Sequence, residues 1–152
     1  MGLTITLACD ARIASDKARF SVRFIRVAMV PELASTKLLP LIVGFNRALE
    51  LMLTGKTIDA QEAERIGLVN RTVPHERLMD EALALAGVMA ANPSDLLQII
   101  KRMTWQHLGE SDIPKIMLTE STELRAAMTR PAFKEAVSAF VEKRQPDFHR
   151  GE

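Results

Sequence analysis

Closely spaced helix stops constrain this chain more than any other feature. From residue 31 onward apolar side chains recur at helical spacing, and each run is cut off by glycine or proline within a few turns. Pro31-Glu32 reads as a first helical turn, since proline is tolerated there and an acid complements the helix dipole. That helix runs through Leu38, Leu39 and Ile42 to a stop at Gly44. Asn46 opens the next, carrying Ala48, Leu49, Met52 and Leu53 and ending at Gly55. Asp59 with Glu62 three residues later forms a capping box on a short helix that ends at Gly67. Residues 68–73 read as a strand up to Pro74.

After Pro74 the pattern is helical throughout. Residues 76–91 place Leu78, Met79, Ala82, Leu83, Ala86 and Met89 on one face, and Asn92-Pro93 ends the run. Ser94 is expected to cap a helix containing Leu97, Ile100 and Met103 that stops at Gly109. Helices over 114–128 and 132–143 follow, the latter with Phe133, Val137, Phe140 and Val141 at helical spacing.

The residues before Pro31 have a different character. Ile13-Ala14-Ser15 and Ala18-Arg19-Phe20 are short alternating segments about a Ser-Asp-Lys turn, and predict two brief strands. Val27 to Val30 is a further apolar run closed by Pro31. Residues 1–9 are apolar from the start, without a polar lead-in or a cap, and read as core rather than as a frayed terminus. Such a start either packs on a partner or continues a longer chain.

Composition excludes several classes. Twenty basic against nineteen acidic residues leave a net charge of +1, so no overall field favours nucleic acid or an anionic membrane. No stretch approaches the ~18 apolar residues of a membrane span. The single cysteine, Cys9, cannot form an internal disulfide, fits a reducing compartment and reads as a small, buried, inert side chain. His75, His107 and His149 have no metal-site spacing, form no visible triad with a serine, and are expected at the surface. A cytoplasmic protein is the expectation.

Ordered pieces of the sequence resemble the enoyl-CoA hydratase/isomerase (crotonase) superfamily. They are Leu7-Ala8-Cys9-Asp10 with Arg12-Ile13-Ala14-Ser15, Val30-Pro31, Leu39-Pro40-Leu41-Ile42-Val43-Gly44, the stretch from Ala48 to Gly55, and Ile58-Asp59-Ala60 with Glu62-Ala63 and Gly67-Leu68-Val69-Asn70. Ala139 to Arg144 with Pro146 and Phe148 resembles the family's C-terminus. The resemblance implies an α/β fold. Residues 1–74 would be the C-terminal part of a ββα spiral core, and 75–152 a helical region that mediates trimer contacts in relatives. It also implies an acyl-CoA thioester as substrate and no cofactor beyond that CoA. The expected assembly is a homo-oligomer, a trimer or dimer of trimers, with no nucleic-acid or membrane partner. On this reading the chain begins part-way into the family subunit and lacks its upstream half.

The family holds the thioester oxygen between two backbone N–H groups, one at a helix start, because oriented amides stabilise an enolate-like charge without reorganising. The resemblance puts that position at Met1-Gly2. The two glutamates of family hydratases map to Thr4, two residues after Gly2, and to Phe24, four residues after Phe20. Neither can transfer a proton, which argues against a two-carboxylate hydratase. Glu32 is the acid that matches a base position of some family isomerases, and one carboxylate suffices to move a proton from the α- to the γ-carbon. Its alternative role is complementing the helix dipole. Lys143 resembles the basic residue that reaches the CoA phosphates, with a solvated helix end as the alternative. Phe140 reads as core, while Arg23 and Arg26 flank Phe24 as candidate contacts to acyl or CoA groups.

Overall fold

A computed structural model describes residues 2–149. Its elements are α1 (Gly2–Thr6), β1 (Ile13–Ser15), β2 (Arg19–Ser21), a 3-10 turn (Arg23–Val27), α2 (Ser35–Val43), α3 (Phe45–Thr54), β3 (Thr57–Asp59), α4 (Ala60–Arg65), β4 (Arg71–Val73), a second 3-10 turn (His75–Arg77), α5 (Leu78–Ala90), α6 (Ser94–His107), α7 (Ile113–Ala127) and α8 (Pro131–Glu142). They fall into two units, one up to Ala84 and one from Leu85, so the division lies inside α5 rather than at Pro74.

In the first unit the two early strands do not pair with each other. β1 runs parallel to β4, with Ile13 opposite Arg71 and Ser15 opposite Val73. β2 runs antiparallel to β3, with Arg19 opposite Asp59 and Ser21 opposite Thr57. The turn between β1 and β2 closes through Ala18 N–H to the Ser15 carbonyl at 2.9 Å, while Asp16 N–H continues the β1–β4 ladder to the Val73 carbonyl at 2.8 Å. Parallel strands need a crossover, and α2 to α4 lie in the chain between them.

The glycine stops behave as their chemistry requires. Gly55 (φ 58°) and Gly67 (φ 77°) take left-handed backbone just past α3 and α4, where a side chain would be strained. Asp59 caps α4 by accepting the Glu62 N–H at 2.9 Å. The reciprocal half of the capping box is not made, because the Glu62 carboxylate instead holds Arg65 through paired bonds of 2.6 and 2.7 Å. That forked contact lowers the Glu62 pKa below its ordinary value.

Leu7, Val22, Leu38, Leu39, Val43, Ala48, Leu51, Ile58, Ala63, Ile66, Leu68 and Val69 belong to one buried cluster, on which Leu3 and Phe24 also pack. Arg12 ties α1 to it: its Nε donates to the Leu68 carbonyl at 2.8 Å and one terminal nitrogen to the Thr6 and Cys9 carbonyls at 3.3 and 2.9 Å. Cys9 itself is exposed, which corrects the buried placement read from its apolar neighbours. α1 ends at Thr6, so the chain at Cys9 has already left the helix and turned outward.

In the second unit, α6 and α7 are bridged by Arg102 and Glu123 at 2.7 Å, and Arg130 pairs with Asp95. Asp112 caps α7 by accepting the Lys115 N–H at 3.1 Å. Ser94 is the first residue of α6 and makes no side-chain cap; Pro93 holds the cap position. Arg144 gathers Glu135 and Glu142 just past α8. The periodicity predicted these helices correctly, yet their apolar faces are uncovered. No residue of α5, α6 or α7 is buried, and in α8 only Ala139 is. Phe140, expected in the core, is 85% exposed, because it projects from a helix stripe on which no other part of the described chain lies. No single helix among the described residues is long and apolar enough to cross a membrane.

Candidate functional site

Three segments of the first unit carry the residues singled out in the sequence, and all three lean on the same core. α1 contributes Leu3, the 3-10 turn contributes Phe24, and α2 contributes Leu38 and Leu39. Gly2 opens α1 and is exposed, with no heavy atom within 4 Å of the place a side chain would occupy. A helix start leaves its first amides without intrahelical partners, and the surroundings of Gly2 leave room for an acceptor. Met1 lies outside the described residues. Thr4, at the first hydratase glutamate position, is 3% exposed and faces the interior. Phe24, at the second, packs on the core and carries no proton to transfer.

The backbone between the 3-10 turn and α2 is unusual. Ala28, Leu33 and Ala34 all take left-handed conformations, with φ of 56°, 54° and 56°. Each costs a non-glycine residue about 1–3 kcal/mol, and such strain concentrates at functional sites. Pro31-Glu32 therefore does not form the first turn of α2: the left-handed pair at Leu33 and Ala34 breaks the helical path, and α2 starts at Ser35. This removes the dipole-complementing role considered for Glu32.

Glu32 is exposed, and its carboxylate meets no cation or donor among the described residues. Its backbone carbonyl is held firmly, accepting the Ser35 N–H at 3.0 Å and the Ser35 hydroxyl at 2.5 Å. Around it the loop displays apolar side chains: Ile25, Val27, Met29, Val30 and Leu33 are between 50% and 80% exposed. A carboxylate without a partner, on a strained loop among exposed apolar groups, can accept a proton from an apolar substrate that covers it.

The flanking arginines differ. Arg26 spends its Nε on the Thr54 carbonyl at 2.8 Å, and its side chain fills the space over Gly55. Arg23 is exposed and has no ion pair among the described residues. Lys143 belongs to the second unit, where it ends α8 in a left-handed conformation (φ 55°) with its ammonium exposed and unpaired among the described residues.

One arrangement was invisible in the sequence. The hydroxyl of Ser15, a buried residue, stands 3.1 Å from His75 Nδ1 and 3.2 Å from the Asp16 carboxylate, and accepts the Lys17 N–H at 3.1 Å. With its oxygen engaged on three sides, this serine secures the end of β1 to the segment after β4. His75 and His149 are exposed and His107 half-buried. Among the described residues no group of three or more His, Cys, Asp or Glu could hold a metal ion.

The comparisons with known proteins agree with this geometry. Residues 1–151 match the enoyl-CoA hydratase/isomerase family, and the chain belongs to that family. A probable enoyl-CoA hydratase of Mycobacterium tuberculosis is 40% identical over 149 residues, covering 97% of this chain and 52% of that protein. A mitochondrial Δ(3,5)-Δ(2,4)-dienoyl-CoA isomerase of Dictyostelium discoideum is 35% identical over 148 residues, covering 97% of this chain and 50% of its own length. The crystal structure of a probable enoyl-CoA hydratase/isomerase from Mycobacterium abscessus superposes with a TM-score of 0.90 at 37% identity, covering 97% of this chain and 58% of that one. The α/β architecture is thus that of the crotonase fold, and the chain spans about half the length of the relatives it matches.

Proposed function

We propose that this chain is part of an acyl-CoA enzyme that moves a double bond by proton transfer through Glu32. The observation that carries the reading is the unpartnered Glu32 carboxylate on a strained loop, with Thr4 and Phe24 at the positions where a hydratase would need glutamates. In the proposed reaction Glu32 takes the α-proton of a 3-enoyl thioester, and the C–H electron pair spreads over the thioester oxygen and the carbon chain. The same carboxyl group returns the proton at the γ-carbon, leaving a 2-enoyl thioester. The backbone N–H groups at Met1 and Gly2 would face the oxygen while it carries charge, which is the term that usually dominates such catalysis. The exposed apolar side chains from Ile25 to Leu33 would receive the acyl chain, and Lys143 the CoA phosphates. The name of the Dictyostelium relative, an isomerase, supports this chemistry, whereas that of the mycobacterial relative is a hydratase.

The uncovered apolar faces of α5 to α8 favour a second reading, an assembly or CoA-binding module without turnover. On either reading those faces would pack in a homo-oligomer, a trimer or dimer of trimers. The test is conversion of a 3-enoyl-CoA to its 2-enoyl isomer, followed in the unaltered chain and in Glu32→Gln. A positioned base contributes about 10²–10⁴-fold, so the variant should lose turnover by that factor while acyl-CoA affinity stays the same. Acyl-CoA binding without turnover in the unaltered chain would select the module.

A further inference from the structure

The segment from Val30 to Leu33 is exposed apart from Pro31, yet it is held in one conformation with very few restraints. Upstream, Met29 N–H reaches the Phe24 carbonyl at 2.9 Å; downstream, Lys37 and Leu38 N–H groups reach the Ala34 carbonyl, each at 2.9 Å. Among the described residues the only hydrogen bonds to residues 30–33 are the two that Ser35 makes to the Glu32 carbonyl. Between Glu32 and Ser35 stand Leu33 and Ala34, both left-handed. Each prefers right-handed or extended backbone by about 1–2 kcal/mol. Left to themselves these residues would rotate, and Glu32 would turn with them.

Ser35 opposes that rotation in an atypical way. A serine at a helix start ordinarily accepts a hydrogen bond from a first-turn N–H. Here the cap position belongs to Ala34, no side-chain cap is made, and the Ser35 hydroxyl instead donates backward to the Glu32 carbonyl at 2.5 Å. Ser35 is 1% exposed, so the bond is shielded from competing water, and it is anchored beside Leu38 and Leu39 of the core. A carbonyl oxygen has two lone pairs, and Ser35 occupies both.

We propose that Ser35 is the positioning residue for Glu32: its buried hydroxyl and amide together latch the left-handed pair and so fix where the Glu32 carboxylate stands. The chemical meaning of the latch rests on the proton-transfer reading of Glu32, but the latch itself can be tested independently.

The experiment measures amide hydrogen exchange residue by residue by NMR in the unaltered chain, in Ser35→Ala and in Ser35→Ala with Ala34→Gly. In the unaltered chain the Ser35 amide should be protected. Loss of one hydrogen bond of ordinary net strength should speed exchange at residue 35 and its loop neighbours about 2- to 12-fold, with Leu39 and Leu68 amides unmoved. Glycine at 34 holds left-handed backbone without the latch and should restore part of the protection. Unchanged rates at residue 35, or a uniform increase that includes Leu39 and Leu68, would overturn the latch. If Ser35→Ala fails to fold, the unaltered chain still decides: an unprotected Ser35 amide overturns the proposal. In parallel, deuterium uptake at the α-carbon of a bound acyl-CoA should fall in Ser35→Ala at unchanged affinity. Unchanged uptake beside a loosened loop would remove Glu32 from the reaction, while the amide rates still uphold Ser35 as the latch.

Discussion

Ala34 carries a left-handed backbone (φ 56°, ψ 16°) on an exposed residue, so Ala34→Gly relieves a steric cost and removes almost no packing. The relief is about 1–2 kcal/mol. Against it stands the extra freedom that glycine gives the unfolded chain, about 0.4–1 kcal/mol. The net should be a stabilisation of about 0.5–1 kcal/mol, which for a chain of this size raises Tm by about 1–4 °C. Thermal unfolding followed by circular dichroism measures it. Ala84→Gly is the matched control: Ala84 is exposed within α5, where glycine should destabilise by about 0.5–1 kcal/mol. Opposite signs at the two positions are required. A Tm that falls in Ala34→Gly as it does in Ala84→Gly would refute the strained loop, and with it the reason given for α2 starting at Ser35.

Other perturbations follow from the same contacts. Gly55→Ala should destabilise by about 2 kcal/mol or more in denaturant unfolding, since it puts a side chain on left-handed backbone, and its Cβ would stand 2.7 Å from Arg26 Cγ. Arg12→Ala should cost about 1.5–3 kcal/mol by the same assay, because it strips the Leu68, Thr6 and Cys9 carbonyls of a charged donor. Glu110 has its pKa lowered to about 2, first by the Lys115 side chain and then by the Asp112 backbone N–H. A depressed carboxylate stabilises the folded state above its unfolded pKa and loses that contribution as pH falls through the folded value. The window therefore runs from the ordinary carboxylate range down to about 2. Lys115→Met should move the Glu110 titration seen by NMR upward; a midpoint that stays put would contradict the assignment.

Much of the first unit was legible because its signals are local. A glycine past a helix needs positive φ, and Asp59 lies three residues before the amide it caps, so Gly55, Gly67 and the start of α4 could be read directly. β3 was missed because Thr57–Asp59 is three residues long and overlaps the capping box; its existence depends on β2 lying opposite. The start of α2 was misplaced for a related reason. Local preference favours Pro31-Glu32 as a first turn, but the buried Ser35 hydroxyl stabilises a left-handed pair of alanine and leucine that propensity disfavours. Cys9 and Phe140 were put inside on hydrophobicity alone, which cannot say whether anything lies over a stripe. For the site, Glu32 could be found from the family resemblance; its lack of a partner and its latch appear only in three dimensions.

The central claim is that Glu32 moves the α-proton of an acyl-CoA. Its most direct test incubates the chain with a saturated or 3-enoyl acyl-CoA in deuterium oxide and measures deuterium at the α-carbon by mass spectrometry. The account predicts incorporation that falls about 10²–10⁴-fold in Glu32→Gln, with acyl-CoA affinity and thermal midpoint unchanged. Equal incorporation in the two proteins would contradict it.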